Sequence, residues 1–371
     1  MTVKFDRRVT GINISGIRKM FEGAGPGSIN LGLGQPDFDT PEHIKQAAID
    51  AIEKGCTGYT PNLGIPELRE ALSKKFKKEN SIEYSPAEIM VTSGASEGLH
   101  LALEAVCGRG DEVLVPDPGF LSYVALATLA EAKPVSVPLG EELKYSPEAI
   151  KESITSKTKA IILNSPSNPT GMVQTPGEIK AIAEIASDFH ITLISDEVYE
   201  HFIYEGRHVS PARFSDNVIT INASSKTYAM TGWRIGYLAA RPEYIEQMLK
   251  IHQYIQACAC SVSQYAALAA VSGPQDSVTA MRDEFKKRRD YLVGELNKMG
   301  VKCTMPKGAF YAFPYVGGDD EKVAADLLAK GVICAPGSSF GKSGKGYIRL
   351  SYSTSMPNLK KAVSIMKTVF A

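Results

Sequence analysis

The chain has 371 residues, of which 44% are hydrophobic and 22% are charged, as is typical of a soluble globular protein. Forty-one basic residues balance 41 acidic ones, so the composition favours neither nucleic acid nor a membrane surface as a partner. No stretch approaches the ~20 apolar residues of a membrane helix, and the start, MTVKFDRRVTG, lacks the apolar core of a signal peptide. These features predict a cytoplasmic protein with one large domain and a smaller one.

From about Glu88 the sequence repeats one rhythm, in which a short β-rich run is followed by a Gly/Pro-rich turn and a helical stretch. EIMVTSG precedes ASEGLHLALEAVCGRG, whose Leu99, Ala102 and Val106 fall on one helical face. EVLVPDPG precedes FLSYVALATLAEA, AIILNSPSNPTG precedes PGEIKAIAEIASDF, and ITLISDEVYE and NVITINASS indicate further strands. Apolar strands that alternate with amphipathic helices predict an α/β fold, a three-layer αβα domain with a mainly parallel sheet.

From roughly Gln275 the pattern changes. DSVTAMRDEFKKRRDYLVGELNKMG is typical of one long charged amphipathic helix, and GAFYAFPYV and GYIRLSYS indicate strands of a second, α+β unit. We expect the N-terminal arm to join that unit. The prediction is therefore a large domain over residues 41–274 and a smaller α+β domain formed by residues 1–40 and 275–371.

Cysteine and histidine usage indicates neither a disulfide framework nor a metal site. The six cysteines are scattered, which is typical of buried thiols in a reducing compartment. Cys258 and Cys260 have no second Cys or His pair nearby at zinc spacing, so they also suggest buried thiols. The six histidines are equally scattered, and we expect no metal.

Polar residues lie at or just past the ends of four predicted strands, at Asp117, Asn168, Asp196 and Lys226. In open parallel sheets, ligands bind just beyond the carboxyl ends of the strands. The sequence therefore predicts a ligand site at this edge. Lys226 belongs to SSKTYAMTGWRIGYLAA, a stretch that suggests a polar, flexible connection.

Five segments carry a family resemblance that covers essentially the whole chain: LGLGQPDFDTP, NSPSNPTG, ISDEVYE, SSKTYAMTGWRIGY and YIRLSYS. One segment alone would be weak evidence, because a loop lysine is usually a solvated charge and NPTG is a common turn. Together, in this order and at this spacing, they resemble the pyridoxal-phosphate-dependent aminotransferases of fold type I, class I/II. The resemblance implies an enzyme with pyridoxal 5'-phosphate as cofactor, and ping-pong transfer of an amino group from an L-amino acid to a 2-oxo acid.

The resemblance also implies roles for the catalytic residues. Lys226 matches the lysine that holds the cofactor as a Schiff base and moves a proton during the reaction. Asp196 matches the aspartate that pairs with the pyridine nitrogen, whereas its neighbour Glu197 should point away and receives no role. Tyr199 and Asn168 match the pair that hydrogen-bonds the phenolic oxygen of the cofactor.

Further cofactor contacts follow from the same resemblance. Arg234 matches the phosphate-binding arginine, whose planar fork suits a dianion, and Ser225 can donate another hydrogen bond. Many relatives carry a hydroxyl where this chain has Ala223, so Ser224 either replaces that contact or the contact is missing. The turn SGAS opens a helix, and the free N–H groups there form an anion site. The N–H groups expected to bind the phosphate are those of Ala95 and Ser96. Phe120 matches the aromatic residue that stacks on the cofactor ring.

Substrate contacts and the oligomer are implied as well. Arg349 matches the arginine that grips the substrate α-carboxylate, and Gly34 matches the glycine whose backbone approaches the same carboxylate. Asn168 is also expected to reach that carboxylate. Tyr59 matches a tyrosine that reaches the cofactor phosphate of the neighbouring subunit, which implies a homodimer with shared active sites.

The sequence leaves the substrate open. The pattern is most similar to the aspartate and aromatic aminotransferases of archaea and bacteria, with 2-oxoglutarate/glutamate as one expected pair, and alanine and lysine-pathway substrates remain alternatives. Because fold and cofactor do not fix the reaction, a C–S β-lyase is a second hypothesis and a non-catalytic cofactor-binding regulatory protein a third.

Overall fold

The computed structural model describes residues 3–12, 25 and 27–370. Its strands, in chain order, are β1 (Ile29–Asn30), β2 (Ile89–Thr92), β3 (Glu112–Asp117), β4 (Lys133–Pro138), β5 (Thr158–Asn164), β6 (Thr192–Asp196), β7 (Val218–Ala223), β8 (Gly236–Ala239), β9 (Tyr311–Ala312), β10 (Val332–Ile333), β11 (Ala335–Pro336) and β12 (Ile348–Ser351). The α-helices are Arg7–Thr10, Glu42–Glu53, Pro66–Lys75, Ala95–Val106, Ser122–Leu129, Pro147–Ser153, Pro176–Asp188, Ser224–Thr227, Pro242–Ile255, Ser261–Ser272, Asp276–Lys298, Asp320–Ala329 and Met356–Lys367.

The central sheet has seven strands in the order β2-β8-β7-β6-β5-β3-β4. Neighbouring strands from β7 to β4 run parallel, whereas β8 is antiparallel to both β2 and β7. The predicted mainly parallel α/β sheet is thus confirmed. Its carboxyl edge carries Asp117 and Asp196 as the last residues of β3 and β6, with Asn168 and Lys226 shortly after β5 and β7.

The strands of this sheet are buried on both faces, which explains their near-continuous apolar sequences. Because successive side chains of a strand point to opposite faces, Val113 and Val115 pack in a cluster with the helix Ala95–Val106. Leu114, between them, packs in another cluster with the helix Pro176–Asp188. The sheet therefore lies between two layers of helices.

Local sequence signals explain where helices begin. Thr175 accepts a hydrogen bond from the backbone N–H of Glu178, whose side chain accepts one from Thr175 N in return. This capping box and Pro176 at the first turn start the helix Pro176–Asp188. Its buried residues recur at helical spacing and face the sheet: Ile179, Ile182, Ala183 and Ala186.

The C-terminal part forms the smaller α+β unit. β12 lies between β11 and β9 in an antiparallel sheet, and the long helix Asp276–Lys298 packs in the same core. β1, in the N-terminal arm, pairs in parallel with β10 of the C-terminal part. The domain boundaries at 40/41 and 274/275 stay a prediction, and residues 1–2, 13–24, 26 and 371 of the smaller domain lie outside the described residues.

Two interpretations of the sequence were wrong in detail. The stretch from Ser224 to Ala240 is not one flexible connection, because it contains a helical turn and all of the buried strand β8. The cysteines are free thiols, but only Cys303 and Cys334 are buried, whereas Cys258 is half-buried and Cys260 is exposed. Among the described residues, no helix combines the length and apolar character needed to cross a membrane.

Candidate active site

A cavity of about 300 Å³ lies at the carboxyl edge of the central sheet. Eleven of the twelve predicted site residues line it, and Tyr59 is the exception. The eleven are Gly34, Ala95, Ser96, Phe120, Asn168, Asp196, Tyr199, Ser225, Lys226, Arg234 and Arg349.

Lys226 lines the cavity from the helical turn Ser224–Thr227, which directly follows β7. The side chain is half-buried, and Nζ donates a hydrogen bond of 2.7 Å to the backbone oxygen of Gly34. Burial and the positive charges of Arg234 and Arg349 lower the pKa of Lys226 to about 8, against the opposing charge of Asp196. With this pKa roughly a tenth of the amine is neutral at pH 7, far more than for an ordinary lysine, and a neutral amine can act as a nucleophile or a base.

Titration of Lys226 in the cofactor-free protein should reflect this environment. We expect its labelling by an amine-specific reagent to increase with pH around a midpoint near 8, instead of the ~10.4 of an ordinary lysine, because only the neutral amine reacts. Peptide mapping at each pH measures the labelling. Arg234→Gln should move the midpoint upward and Asp196→Asn should move it downward. A midpoint above 10 in the unaltered chain would contradict the expectation.

Asp196 is buried at the end of β6 and lines the cavity. Its Oδ2 accepts a hydrogen bond of 2.8 Å from the hydroxyl of Tyr123, and Asn164 Nδ2 donates 3.0 Å to its backbone oxygen. Burial raises the pKa of Asp196 to about 6, although the Tyr123 hydroxyl opposes the shift. A cationic N–H partner would favour the ionised carboxylate here.

Arg234 and the first turn of the helix Ala95–Val106 form a positively polarised corner. The guanidinium donates to the backbone oxygens of Thr231 and Ser93, at 3.0 and 3.3 Å. Gly94, just before the helix, has φ +81°, and a Cβ on it would collide with the Arg234 guanidinium. Unpaired N–H groups at a helix start and an adjacent arginine together suit an anion such as phosphate.

Arg349 on β12 is buried and also lines the cavity. Its Nη1 donates a hydrogen bond of 3.0 Å to Asn168 Oδ1, and its Nη2 donates one to the backbone oxygen of Gly32. The guanidinium carbon lies 4.7 Å from the ring centroid of Tyr311 and 4.9 Å from that of Phe340. The resulting cation–π contacts hold the planar fork in place.

Tyr199 and Gly34 meet at Tyr311, a residue that the sequence interpretation did not name. The two tyrosine hydroxyls are 2.8 Å apart, and the Tyr311 hydroxyl also fills the space where a Cβ of Gly34 would lie. Gly34 therefore brings its backbone to the cavity because it lacks a side chain.

Tyr59 does not line the cavity of its own subunit, and its side chain is 92% exposed. Its loop is nevertheless well anchored. Ser261 Oγ donates 2.6 Å to Gly58 O, and Gln264 Nε2 donates 2.8 Å to Thr60 Oγ1. The loop holds an aromatic side chain out toward the solvent.

Ten other residues that line the cavity were not assigned to the site, and half of them lie inside the five quoted segments and half outside them. They are Gly32, Leu33, Leu99, Leu121, Tyr123, Asn164, Val198, Ala223, Thr231 and Tyr311. Among the described residues, the serines and threonines in the lining are Ser96, Ser225 and Thr231, and Ser224 is not one of them. Asp117 also does not line the cavity, although it ends β3.

A second polar cluster lies outside the cavity and was also missed. Ligand atoms of Glu197, Glu200 and His208 lie within 4.8 Å of one another, a grouping of types that can hold a metal. Lys75 already bonds Glu200, and Ser210 donates 2.7 Å to Glu197. Burial lowers the pKa of His208, but its interactions with Glu197 and Glu200 together outweigh burial and raise this pKa above its ordinary value. The cluster thus contains its own cations.

Comparison with known proteins identifies relatives along nearly the whole chain. Residues 26–366 match the family described as Aminotransferase class I and II. The chain is 49% identical to the "Probable aspartate aminotransferase" of Methanocaldococcus jannaschii, over 98% of this chain and 99% of the relative. It is 42% identical to the aromatic-amino-acid aminotransferase 2 of Thermococcus litoralis, over 98% and 97% of the two chains.

The fold agrees with these relatives. A solved structure of the aspartate aminotransferase from Thermus thermophilus with maleate matches with a TM-score of 0.95 and 37% identity. The match covers 99% of this chain and 100% of the other.

The cavity fits pyridoxal phosphate, the cofactor on which this family depends. An amine of lowered pKa suits an aldehyde, a buried carboxyl suits a pyridine N–H, and the helix start beside Arg234 suits a phosphate. The Nε of Arg349 is buried without a partner in the described residues, as expected of a guanidinium that awaits a ligand. The chain therefore belongs to the class I and II aminotransferases, pyridoxal-phosphate-dependent enzymes that transfer amino groups between amino acids and 2-oxo acids.

Proposed function

We propose that this enzyme transfers the amino group of aspartate or of an aromatic amino acid to a 2-oxo acid such as 2-oxoglutarate, in a ping-pong sequence. One observation carries the proposal: a single cavity presents the buried guanidinium of Arg349 and the amine of Lys226, whose pKa is about 8. Transamination of an α-amino acid requires a guanidinium that binds the α-carboxylate and a base that takes the proton from the α-carbon. The relatives named for aspartate and for aromatic amino acids support this choice of substrates.

In this proposal the chain contacts four parts of the cofactor: its phosphate, its ring nitrogen, its ring face and its phenolic oxygen. Arg234, Ser225 and the N–H groups of Ala95 and Ser96 bind its phosphate, and Asp196 pairs with its ring nitrogen. Phe120 stacks on the ring, while Tyr199 and Asn168 hydrogen-bond its phenolic oxygen. When bound, pyridoxal phosphate supplies an electron sink for the substrate's α-carbon.

The substrate is oriented by the other side of the cavity. Arg349 binds the α-carboxylate in a bidentate fork, Asn168 adds a hydrogen bond, and the backbone of Gly34 comes close because it has no Cβ. Lys226 would move the proton between the substrate's α-carbon and the C4′ atom of the cofactor, in opposite directions in the two half-reactions. Its lowered pKa supports this exchange near neutral pH.

The side-chain end of the substrate is less constrained. Among the described residues that line the cavity, Lys226, Arg234 and Arg349 are the only lysines or arginines, and all three already have proposed partners. Leu33 and Leu121 supply apolar surface to the same lining. Both substrate classes therefore belong in the test.

A panel of half-reactions tests the proposal. The holoenzyme is mixed with aspartate, tyrosine, phenylalanine, alanine or lysine in the absence of a 2-oxo acid, and the cofactor absorbance is followed. We expect the fastest conversion with aspartate or an aromatic amino acid, and recovery of the starting spectrum on addition of 2-oxoglutarate. Faster conversion by alanine or lysine would overturn the choice of substrate. Thiol release from cystathionine without a 2-oxo acid, at a rate above transamination, would indicate a β-lyase instead.

We also propose a homodimer with shared active sites, in which Tyr59 of one subunit reaches the cofactor phosphate of the other. The support is an exposed aromatic side chain on an anchored loop, outside the cavity of its own subunit. Light scattering should then give about twice the 40.1 kDa chain mass. A monomer with full activity would contradict the shared site.

The domain division and the location complete the proposal. We propose that residues 41–274 form the cofactor-binding domain and that 1–40 and 275–371 form the smaller one, because the seven-stranded sheet falls wholly within the first range. Limited proteolysis that cut first inside β3–β8 would contradict it. The free cysteines support a reducing, cytoplasmic location, which cell fractionation can test.

A further inference from the structure

The segment from Gly337 to Gly346, here called the 337–346 turn, joins β11 to β12 and touches the end of β3. The backbone N–H of Gly119 donates 2.8 Å to the backbone oxygen of Phe340. The backbone N–H of Ser343 donates 3.0 Å to Asp117 Oδ1. Two hydrogen bonds thus connect the central sheet with the smaller unit.

The contact at Asp117 is tight. Asp117 is 4% exposed, and a Cβ on Gly341 would overlap its carboxylate oxygen. Gly341 also has φ +130°, a conformation that favours glycine. The backbone of the turn therefore lies directly against the carboxylate, without an intervening side chain.

The same turn carries a residue that contacts the carboxylate-binding arginine. The ring centroid of Phe340 lies 4.9 Å from the guanidinium carbon of Arg349. Gly337 N also donates 2.8 Å to Tyr347 O, two residues before Arg349 in the chain. A displacement of the turn would shift both the aromatic face against the guanidinium and the start of β12.

The turn has a second carboxylate partner within its own unit. Asp320 accepts hydrogen bonds from Ser338 N at 2.8 Å and from Gly346 N at 3.1 Å. Asp320 holds the two ends of the turn, and Asp117 holds its middle. Of these two carboxylates, Asp117 is the one on the central sheet, whose strand β6 carries Asp196 at the same edge.

We propose that Asp117 is a positioning residue for the substrate's α-carboxylate: it fixes the 337–346 turn against β3 and so keeps Phe340 packed on Arg349. The inference rests on the proposed role of Arg349. The amino acid substrate and the 2-oxo acid substrate both present a carboxylate to the Arg349 guanidinium. Loss of Asp117 therefore weakens the binding of both substrates. The proposed phosphate site at Arg234 is unaffected, because Arg234 bonds Thr231 and Ser93 and not the 337–346 turn.

The test compares Asp117→Ala with Asp117→Asn in the holoenzyme. We expect Asp117→Ala to raise KM about tenfold for donor and 2-oxo acid alike, as for the loss of one hydrogen bond to a charged group, with kcat within about twofold. Asp117→Asn keeps an acceptor oxygen and should restore most of the affinity. Asp111→Ala is the matched control, because this carboxylate accepts 2.9 Å from Gly108 N near the opposite end of β3.

A second measurement separates binding from chemistry. The dissociation constant of the α-methyl analogue of the best donor, which keeps the carboxylate and lacks the α-proton, should rise with KM. If Asp117→Ala does not fold, Ser343→Pro removes the same N–H group and should give the same rise. Unchanged KM values, or a fall in kcat alone, would overturn the inference.

The proposed function can fail separately. If Arg349→Lys leaves KM unchanged, Arg349 does not bind the carboxylate and the premise is wrong. If Arg349→Lys raises KM and the Asp117 variants do not, the premise holds and only the inference about Asp117 is wrong.

Discussion

Lys226→Ala is expected to lower the rate of amino-group transfer by about 10⁴-fold or more, because the chain loses both its nucleophile and its general base. Binding of the cofactor should persist without a covalent bond, since Arg234, Asp196 and the helix start at Ala95 remain. The rate is measured as the conversion of the best donor with 2-oxoglutarate. Cofactor content is measured by absorbance after gel filtration.

Two controls sharpen this test. Lys250→Ala removes an exposed lysine on the helix Pro242–Ile255 and should leave the rate unchanged. Borohydride reduction of the unaltered holoenzyme, followed by peptide mapping, should place the label on Lys226. Near-normal turnover in Lys226→Ala, or a label on another side chain, would refute the assignment.

Arg349→Leu is expected to lower kcat/KM for both substrates by about 10²–10³-fold, as when one partner of a buried charge pair is removed. The effect should fall mainly on KM, because the carboxylate is bound in the ground state and in the transition state alike. Steady-state kinetics with each substrate varied in turn measures it. Arg349→Lys should be intermediate, since it retains the charge and loses the bidentate fork.

Cofactor affinity supplies the control for this variant. Arg349 and Arg234 have different hydrogen-bond partners among the described residues, so Arg349→Leu should bind pyridoxal phosphate as the unaltered chain does. A loss of cofactor with no change in KM would assign Arg349 to the cofactor instead of the substrate.

Much of the fold followed from hydrophobic periodicity, because β3, β5, β6 and β7 are apolar on both faces and are followed by turn residues. β4 was missed, since this edge strand contains lysine and two prolines and is largely exposed on one side. β8 was hidden inside a segment noted for its polar residues. Strands β1, β10 and β11 have two residues each, which is too short for a periodic pattern. They are recognisable only from their pairing with other strands in the folded chain.

The site was predictable where a motif marked it, and unpredictable where distant segments meet. Tyr311 bonds Tyr199 across 112 positions, and Tyr123 bonds Asp196 across 73. Neither tyrosine lies beside a recognisable motif, so only the folded chain brings them to the cavity. Asp117 was noted as a strand end, but its partner on the 337–346 turn comes from a segment without a family signature.

The antiparallel course of β8 has a further consequence for how the enzyme could evolve. Ala223 and Gly236 face each other across one rung of the β7–β8 ladder, so the peptide between them leaves the sheet and returns to the same place. Lys226 and Arg234, to which we assign the amine and the phosphate-binding charge, both lie on this segment between its two fixed ends. The length of the segment between Ala223 and Gly236 is therefore more constrained than its composition. An inserted residue would leave the β7–β8 pairing intact but would change the position of Lys226 relative to Arg234.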